Sequence, residues 1–242
     1  MFTELLLKQL PKFNVKKPST GKPLWFRPIL VKEEKKLLSV QEFGNKAEIV
    51  KAVSEVMDSC YESLDCQSLP TYEFDYLFVQ LRIKSIGSNI NAKFTCPDTD
   101  EKINLNLDLN EIKINGIEKF NTSVKISDNM TLTMRAPNYM DLDELQIEEL
   151  TYEDLLKLTA RCITSILTNE SNFEINPNNA QNMKDIQDML SNMTSSQFSK
   201  IIEFFNNIPT YEHVVNYTTS DGQNRSIKIS GIQDFFRLAS VT

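Results

Sequence analysis

The spacing of apolar residues divides the chain into stretches of different period. In "NKAEIVKAVSEVMDSC", Ile49, Val53, Val56 and Met57 recur at three- and four-residue intervals, which places them on one face of a helix. "VKEEKKLLSVQEF" before it is also helical in pattern, and Gly44-Asn45 is the natural break between the two. "LPTYEFDYLFVQLRIKSIG" carries the clearest stripe, Phe74, Leu77, Phe78 and Leu81, with Pro70 suited to the first turn and Gly87 to the end. Beyond Gly87 the period falls to two. Ile103, Leu105, Leu107 and Leu109 alternate with polar residues, as a half-buried strand requires. "SVKISDNMTLTMRAP" predicts a second hairpin, turning at Asp128-Asn129 and ended by Pro137.

In the second half, Thr151 and Asp154 stand at capping-box spacing before a helical face of Leu155, Leu158, Cys162 and Ile166. "NESNFEINPNNAQN" reads as an Asn-rich loop, and helices over 181–190 and 195–207 run up to Pro209. The last stretch predicts strand, Asp-Gly turn, strand and a short helix. Residues 1–32 differ: Pro11, Pro18, Pro23 and Pro28 around Gly21 forbid a long helix and predict an extended arm with short strand or turn pieces. The expected fold is α+β, a helical core with two or three β-hairpins. An arm over 1–32 precedes a single domain over 33–242, with helices in 33–87, hairpins in 89–136, helices in 138–207 and a terminal hairpin and helix in 211–239.

Composition narrows the function. A chain of 242 residues, 40% hydrophobic and 24% charged, is an ordinary globular protein able to bury a substantial core. Apolar runs such as Leu5-Leu6-Leu7 are too short to cross a bilayer, and "MFTELLLKQLPKF" lacks the basic start and apolar stretch of an export signal. The four cysteines are therefore expected as reduced thiols. The net charge of −7 is uneven, because residues 1–36 hold nine Lys/Arg against three acids. An acidic remainder argues against nucleic acid as a partner. The basic arm suits an acidic protein surface.

No catalytic constellation emerges. The chain has one histidine, His213, at the start of a predicted strand, and no nucleophile elbow, phosphate loop or His-Glu-x-x-His. No cofactor is expected. The acids Asp141, Asp143, Glu144, Glu148, Glu149, Glu153 and Asp154 alternate with Leu142, Leu145, Ile147 and Leu150, which predicts a solvated amphipathic face; an acidic docking face is the sharper alternative. Arg82, two turns after Asp75 on the same side, is suited to pair with an acid or to reach backbone carbonyls at a helix end. Cys96-Pro97-Asp98 opens like a metal-binding knuckle, but Thr99 stands where the second thiolate belongs, and the C-terminal hairpin contains no cysteine. Structural zinc needs four ligands, so no metal site is expected.

"DYLFVQLRIKSIG", a hairpin beginning near Cys96, a helical middle and the closing "SGIQDFF" together resemble the baseplate hub assembly proteins of T-even-type contractile-tailed phages. The matching residues are Asp75, Leu77, Phe78, Leu81, Arg82, Ser85 and Gly87 in the helix, Cys96 at the knuckle, and Gly231, Phe235 and Phe236 at the end. In that family a Cys-x-x-Cys hairpin often follows the helix, and a second Cys-containing hairpin often precedes the final Gly-x-x-x-Phe-Phe. Thr99 and Thr218–Gly222 occupy those places here, so the knuckles are degenerate and ribbon-like. The resemblance implies a non-enzymatic tail protein, a component of the baseplate central hub or its assembly chaperone. It would bind other hub or tail proteins, in the host cytoplasm during assembly and at the virion baseplate if it stays in the particle. Leu6, Phe13, Trp25 and Phe26 of the arm are the candidate partner-binding residues. A degenerate zinc-ribbon module that binds nucleic acid through the basic arm is the alternative.

Overall fold

The computed structural model describes residues 2–41, 44–143 and 151–239. Helices and small antiparallel sheets alternate along it, the α+β class that the periodicity predicts. None of the described helices is long and apolar enough to cross a membrane. The chain clusters into two compact units. The first comprises Met1–Cys66, Tyr72–Asn115 and Thr210–Thr242, and the second Gln67–Thr71 and Gly116–Pro209.

After a short helix α1 (Phe2–Leu7), the N-terminal stretch folds back on itself as β1 (Phe13–Lys16) and β2 (Pro23–Phe26), paired with Phe13 opposite Phe26. Four prolines exclude a long helix but leave room for this hairpin. Helix α2 (Val31–Gln41) precedes α3 (Lys46–Cys60), whose N-cap Asn45 forms a reciprocal capping box with Glu48. Helix α4 (Thr71–Ser85) buries Phe74, Leu77, Phe78 and Leu81 as expected, and also Tyr72, Val79, Glu73, Asp75 and Arg82. A helix buried round its whole girth is a core helix, and α4 is that element of the first unit. Strands β3 (Asn89–Thr95) and β4 (Lys102–Asp108) follow as a hairpin of two seven-residue strands, with Leu105 and Leu107 inward. Strand β5 (Lys113–Asn115) ends this part of the chain.

The second unit opens with β6 (Ser123–Ser127) and β7 (Met130–Met134), turning at Asp128-Asn129. Helix α5 (Tyr139–Asp143) follows; Glu144, Glu148 and Glu149 of the acidic stretch lie outside the described residues. Helix α6 (Tyr152–Cys162) starts at the Thr151–Asp154 capping box. Here the structure corrects the sequence reading. The helix stops at Cys162, and the chain continues as β8 (Ile163–Thr168) and β9 (Asn172–Glu174), placing Ile166 on a strand and part of the Asn-rich loop in a sheet. Ile163, Thr164, Ile166 and Thr168 are β-branched, which disfavours helix and suits a ladder against β7. Helices α7 (Ala180–Ser191) and α8 (Ser195–Asn206) cover the four-stranded sheet β6-β7-β8-β9. Leu132, Met134, Cys162, Ile163, Leu190 and Ile201 centre the core between these layers.

The chain then returns to the first unit as β10 (Thr210–Thr218), β11 (Asn224–Ser230) and α9 (Gly231–Ala239). Strand β10 lies between β11 and β5, with Thr210 opposite Asn115. Gly231 turns the chain from strand to helix at φ 74°, a conformation that disfavours a side chain. Phe235 and Phe236 are buried; Phe236 lies 6.4 Å from Phe78 on α4, and Phe235 lies 5.0 Å from Tyr211 on β10. The helix motif and the closing motif are thus two sides of one core. Phe78→Ala should therefore cost about 3–5 kcal/mol in urea-unfolding measurements. Val31→Ala, at an exposed position on α2, should stay within about 0.5 kcal/mol of the parent.

Candidate functional site

The residues that carry the helix motif act at the end of α4. Arg82 donates from its guanidinium to the carbonyl of Gly87, holding the turn beyond the helix, and burial pulls its pKa below the ordinary value. Gly87 adopts φ 123°, where a side chain would be strained. The Ser85 hydroxyl donates to the Leu81 carbonyl at 2.7 Å and accepts the Ile29 N–H at 2.9 Å. Arg82 and Gly87 fix the helix end, while Ser85 pins the segment that follows β2. At the other end of α4, the fully buried Glu73 accepts the Ser19 N–H at 2.7 Å and lies 3.5 Å from the Lys17 ammonium. The N-terminal hairpin is therefore stapled to α4 at its tip and at its exit.

The two later hairpins meet at their tips. In the β3–β4 turn, the Cys96 N–H donates to Glu101 and the Cys96 carbonyl accepts from Asp100. The β10–β11 turn is closed by Gly222 donating to Thr219. Across the pair, the Tyr217 hydroxyl donates to the Cys96 thiol at 3.4 Å, and the Ser220 N–H donates to Glu101 at 2.8 Å. Arg225 donates to Asp98 at 3.2 Å, to both oxygens of Asp221 at 3.0 and 2.8 Å, and to the Thr219 hydroxyl. Hydrogen bonds from Thr99 and then Tyr217 hold the Cys96 thiol below its ordinary pKa. The Tyr217 hydroxyl is pushed up to about 12, first by its bond to Cys96 and then by burial. Arg225, with help from Thr219 and the Gln223 N–H, holds the Asp221 carboxyl well below the usual carboxylate range.

This donor set does not fit a structural zinc. One thiol is present, hydroxyl donors already occupy it, and the positions around it hold Thr99, Tyr217, Thr219 and Arg225. No group of three or more His, Cys, Asp or Glu placed to hold a metal occurs among the described residues. Tip-to-tip contact between two ribbon-like hairpins is kept by ion pairs and hydrogen bonds.

A family model described as T4 bacteriophage base plate protein matches residues 10–237. The chain belongs to this family. No curated relative and no solved structure matches the chain. In this baseplate protein, then, all the motif residues named from the sequence fall in the first unit. Asp75, Leu77, Phe78, Leu81, Arg82, Cys96, Phe235 and Phe236 are buried there, and Ser85, Gly87 and Gly231 shape its turns.

The candidate partner-binding residues divide. Leu6 is 68% exposed and Trp25 45% exposed. Phe13 is half-buried, 5.9 Å from Phe26. Phe26 is 2% exposed and stacks 4.8 Å from Tyr61, so its ring serves the baseplate protein's own core and is not free for a partner. Asp141 also departs from the solvated face expected of it: it is buried and forms a two-pronged pair with Arg135 at 2.6 and 2.9 Å. His213 lies on β10 opposite Ile229, with Glu111 at 4.0 Å. Sequence reasoning missed Glu73, Tyr217, Asp221 and Arg225. The available signal for Glu73 was an acid inside an apolar helix, and for Arg225 a cation four residues after the turn aspartate.

Because the folded state holds the Asp221 carboxyl below its unfolded value, its contribution is present above the ordinary aspartate pKa and lost as pH falls through the folded one. In thermal melts, the stability gap between the parent and Asp221→Asn should be constant above about pH 5 and narrow below about pH 4. A gap that ignores pH would contradict the clamp. Arg225→Ala should lower the melting temperature more than Lys228→Ala on the same strand.

Proposed function

We propose that this baseplate protein works without catalysis, as a component of the central hub or as its assembly chaperone, by binding other hub and tail proteins. The observation that carries this reading is the exposed apolar surface of its basic N-terminal segment. Leu5, Leu6 and Leu7 on α1 and Trp25 on β2 all face solvent, within a stretch where nine Lys/Arg outnumber three acids. Lysines around an apolar anchor speed and orient docking on an acidic surface, while a desolvated aromatic supplies affinity. Family membership supports partners within the phage tail. On this proposal they are met in the host cytoplasm while the baseplate assembles. The reading of the tips as a zinc-ribbon nucleic-acid module loses support with the thiolates that it needs.

Removing the whole N-terminal stretch is a poor test, since Val15 and Phe26 are buried in the fold. Leu6→Asp with Trp25→Ala changes only exposed side chains. Tagged protein recovered from infected cells should bring down tail hub proteins, and the double variant should lose roughly tenfold or more in recovery while melting like the parent. Undiminished recovery overturns the docking role of this segment.

A further inference from the structure

We propose that the chain is built from two copies of one structural repeat, each locked by the same arginine–carboxylate staple. The copies run from β1 through β4 and from β6 through β11. Each has, in order, a hairpin, an arginine leaving its second strand, a helix, a capped helix ending on a buried cysteine, a later helix and a long second hairpin. The second copy adds β8, β9 and α7 before its later helix α8. Phe26, Arg27, Pro28 and Glu33 correspond at one constant offset to Met134, Arg135, Ala136 and Asp141.

The correspondence holds at the level of single hydrogen bonds. In the first copy the Arg27 N–H donates to the Cys60 carbonyl at 3.1 Å. Its guanidinium grips both oxygens of Glu33, six residues on, at 2.9 and 2.7 Å, and reaches the carbonyl of the next residue, Pro28, at 2.9 Å. The Leu30 N–H, three residues before the acid, donates to the same carboxylate at 2.7 Å. In the second copy the Arg135 N–H donates to the Cys162 carbonyl at 2.8 Å. Its guanidinium grips both oxygens of Asp141, again six residues on, at 2.6 and 2.9 Å, and reaches the carbonyl of the next residue, Ala136, at 3.3 Å. The Asn138 N–H, three before the acid, donates to that carboxylate at 2.8 Å.

An isolated arginine–carboxylate fork is commonplace. Four matched contacts in the same chain order, one tying the hairpin exit to the last turn of a helix and three closing the loop after the arginine, are the mark of one construction used twice. The helices agree as well. Helix α3 has 15 residues and α6 has 11, and a difference of about one turn returns the terminal cysteine to the same face. Both helices begin with a capping box, and burial pushes both terminal thiols up to about 12. In each copy the residue after the cysteine pairs with the residue before the arginine, Tyr61 with Phe26 and Ile163 with Met134. The second hairpins, β3–β4 and β10–β11, are then equivalent parts. Their tip-to-tip clamp through Cys96, Asp98, Tyr217 and Arg225 joins the second copy's last hairpin to the first unit, together with the pairing of β10 on β5.

Amide hydrogen exchange on the full chain tests this, with Arg27→Lys and Arg135→Lys keeping the charge and removing the fork. Each variant should speed exchange roughly tenfold or more, the loss of about one charge-assisted bond. The faster amides should be equivalent in the two variants: Arg27, Leu30 and the end of α3 in one; Arg135, Asn138 and the end of α6 in the other. If one variant leaves its own copy unchanged, or the faster amides fall at non-equivalent places, the repeat is refuted. Should a lysine variant fail to fold, Glu33→Asp and Asp141→Glu decide, since each installs the acid that the other copy uses. Retained protection of the Leu30 and Asn138 amides supports equivalence, and lost protection in either refutes it.

Discussion

The first unit depends on a contact between residues far apart in the chain. Arg225 reaches Asp98 across 127 positions, Tyr217 reaches Cys96 across 121, and Ser220 reaches Glu101 across 119. Closing so long a loop costs conformational entropy that the tips alone recover only in part. The rest comes from what the return makes possible. With the last hairpin home, β10 extends across β5, and α9 delivers Phe235 and Phe236 onto Tyr211 and Phe78. One arginine is central because its planar fork satisfies Asp98, Asp221 and Thr219 together, which a lysine's point charge does not.

The same economy explains α4. Helix α4 leaves little of its surface to solvent, so most of its polar groups are answered from within the unit. Glu73 is answered by Ser19 and Lys17, Arg82 by Gly87, and Ser85 by Ile29. These pairings tie the N-terminal hairpin to the core helix, so residues 1–32 are folded over much of their length. What stays exposed there, Leu5 to Leu7 and Trp25, is the part with no work to do inside the fold. Exposure of that surface is consistent with a partner in the tail baseplate to which the family belongs.

Elements governed by local period and local capping were legible in the sequence. The α4 stripe, the β4 alternation, the Asp128-Asn129 turn and the Thr151–Asp154 box all stand where spacing puts them. The reading failed where a local pattern suits two structures. Leu155, Leu158, Cys162 and Ile166 fit a helical face, but the β-branched residues after Cys162 find an open ladder on β7, and tertiary pairing decides. Phe26 and Asp141 were misplaced for a related reason: an aromatic in a basic arm and an acid in an acidic run look exposed until their partners, Tyr61 and Arg135, are known. The tip clamp was invisible because Arg225 and Asp98 carry no mutual signal along the chain. Only the missing second cysteine hinted that something other than metal holds the tips.

That substitution is the central claim, and metal content measures it most directly. Protein purified without chelators should contain far less than one zinc per chain, and its melting curve should be the same with and without a strong chelator. Stoichiometric zinc whose removal unfolds the chain would contradict the account, because the tips would then be held by coordination and the Arg225 network would be secondary.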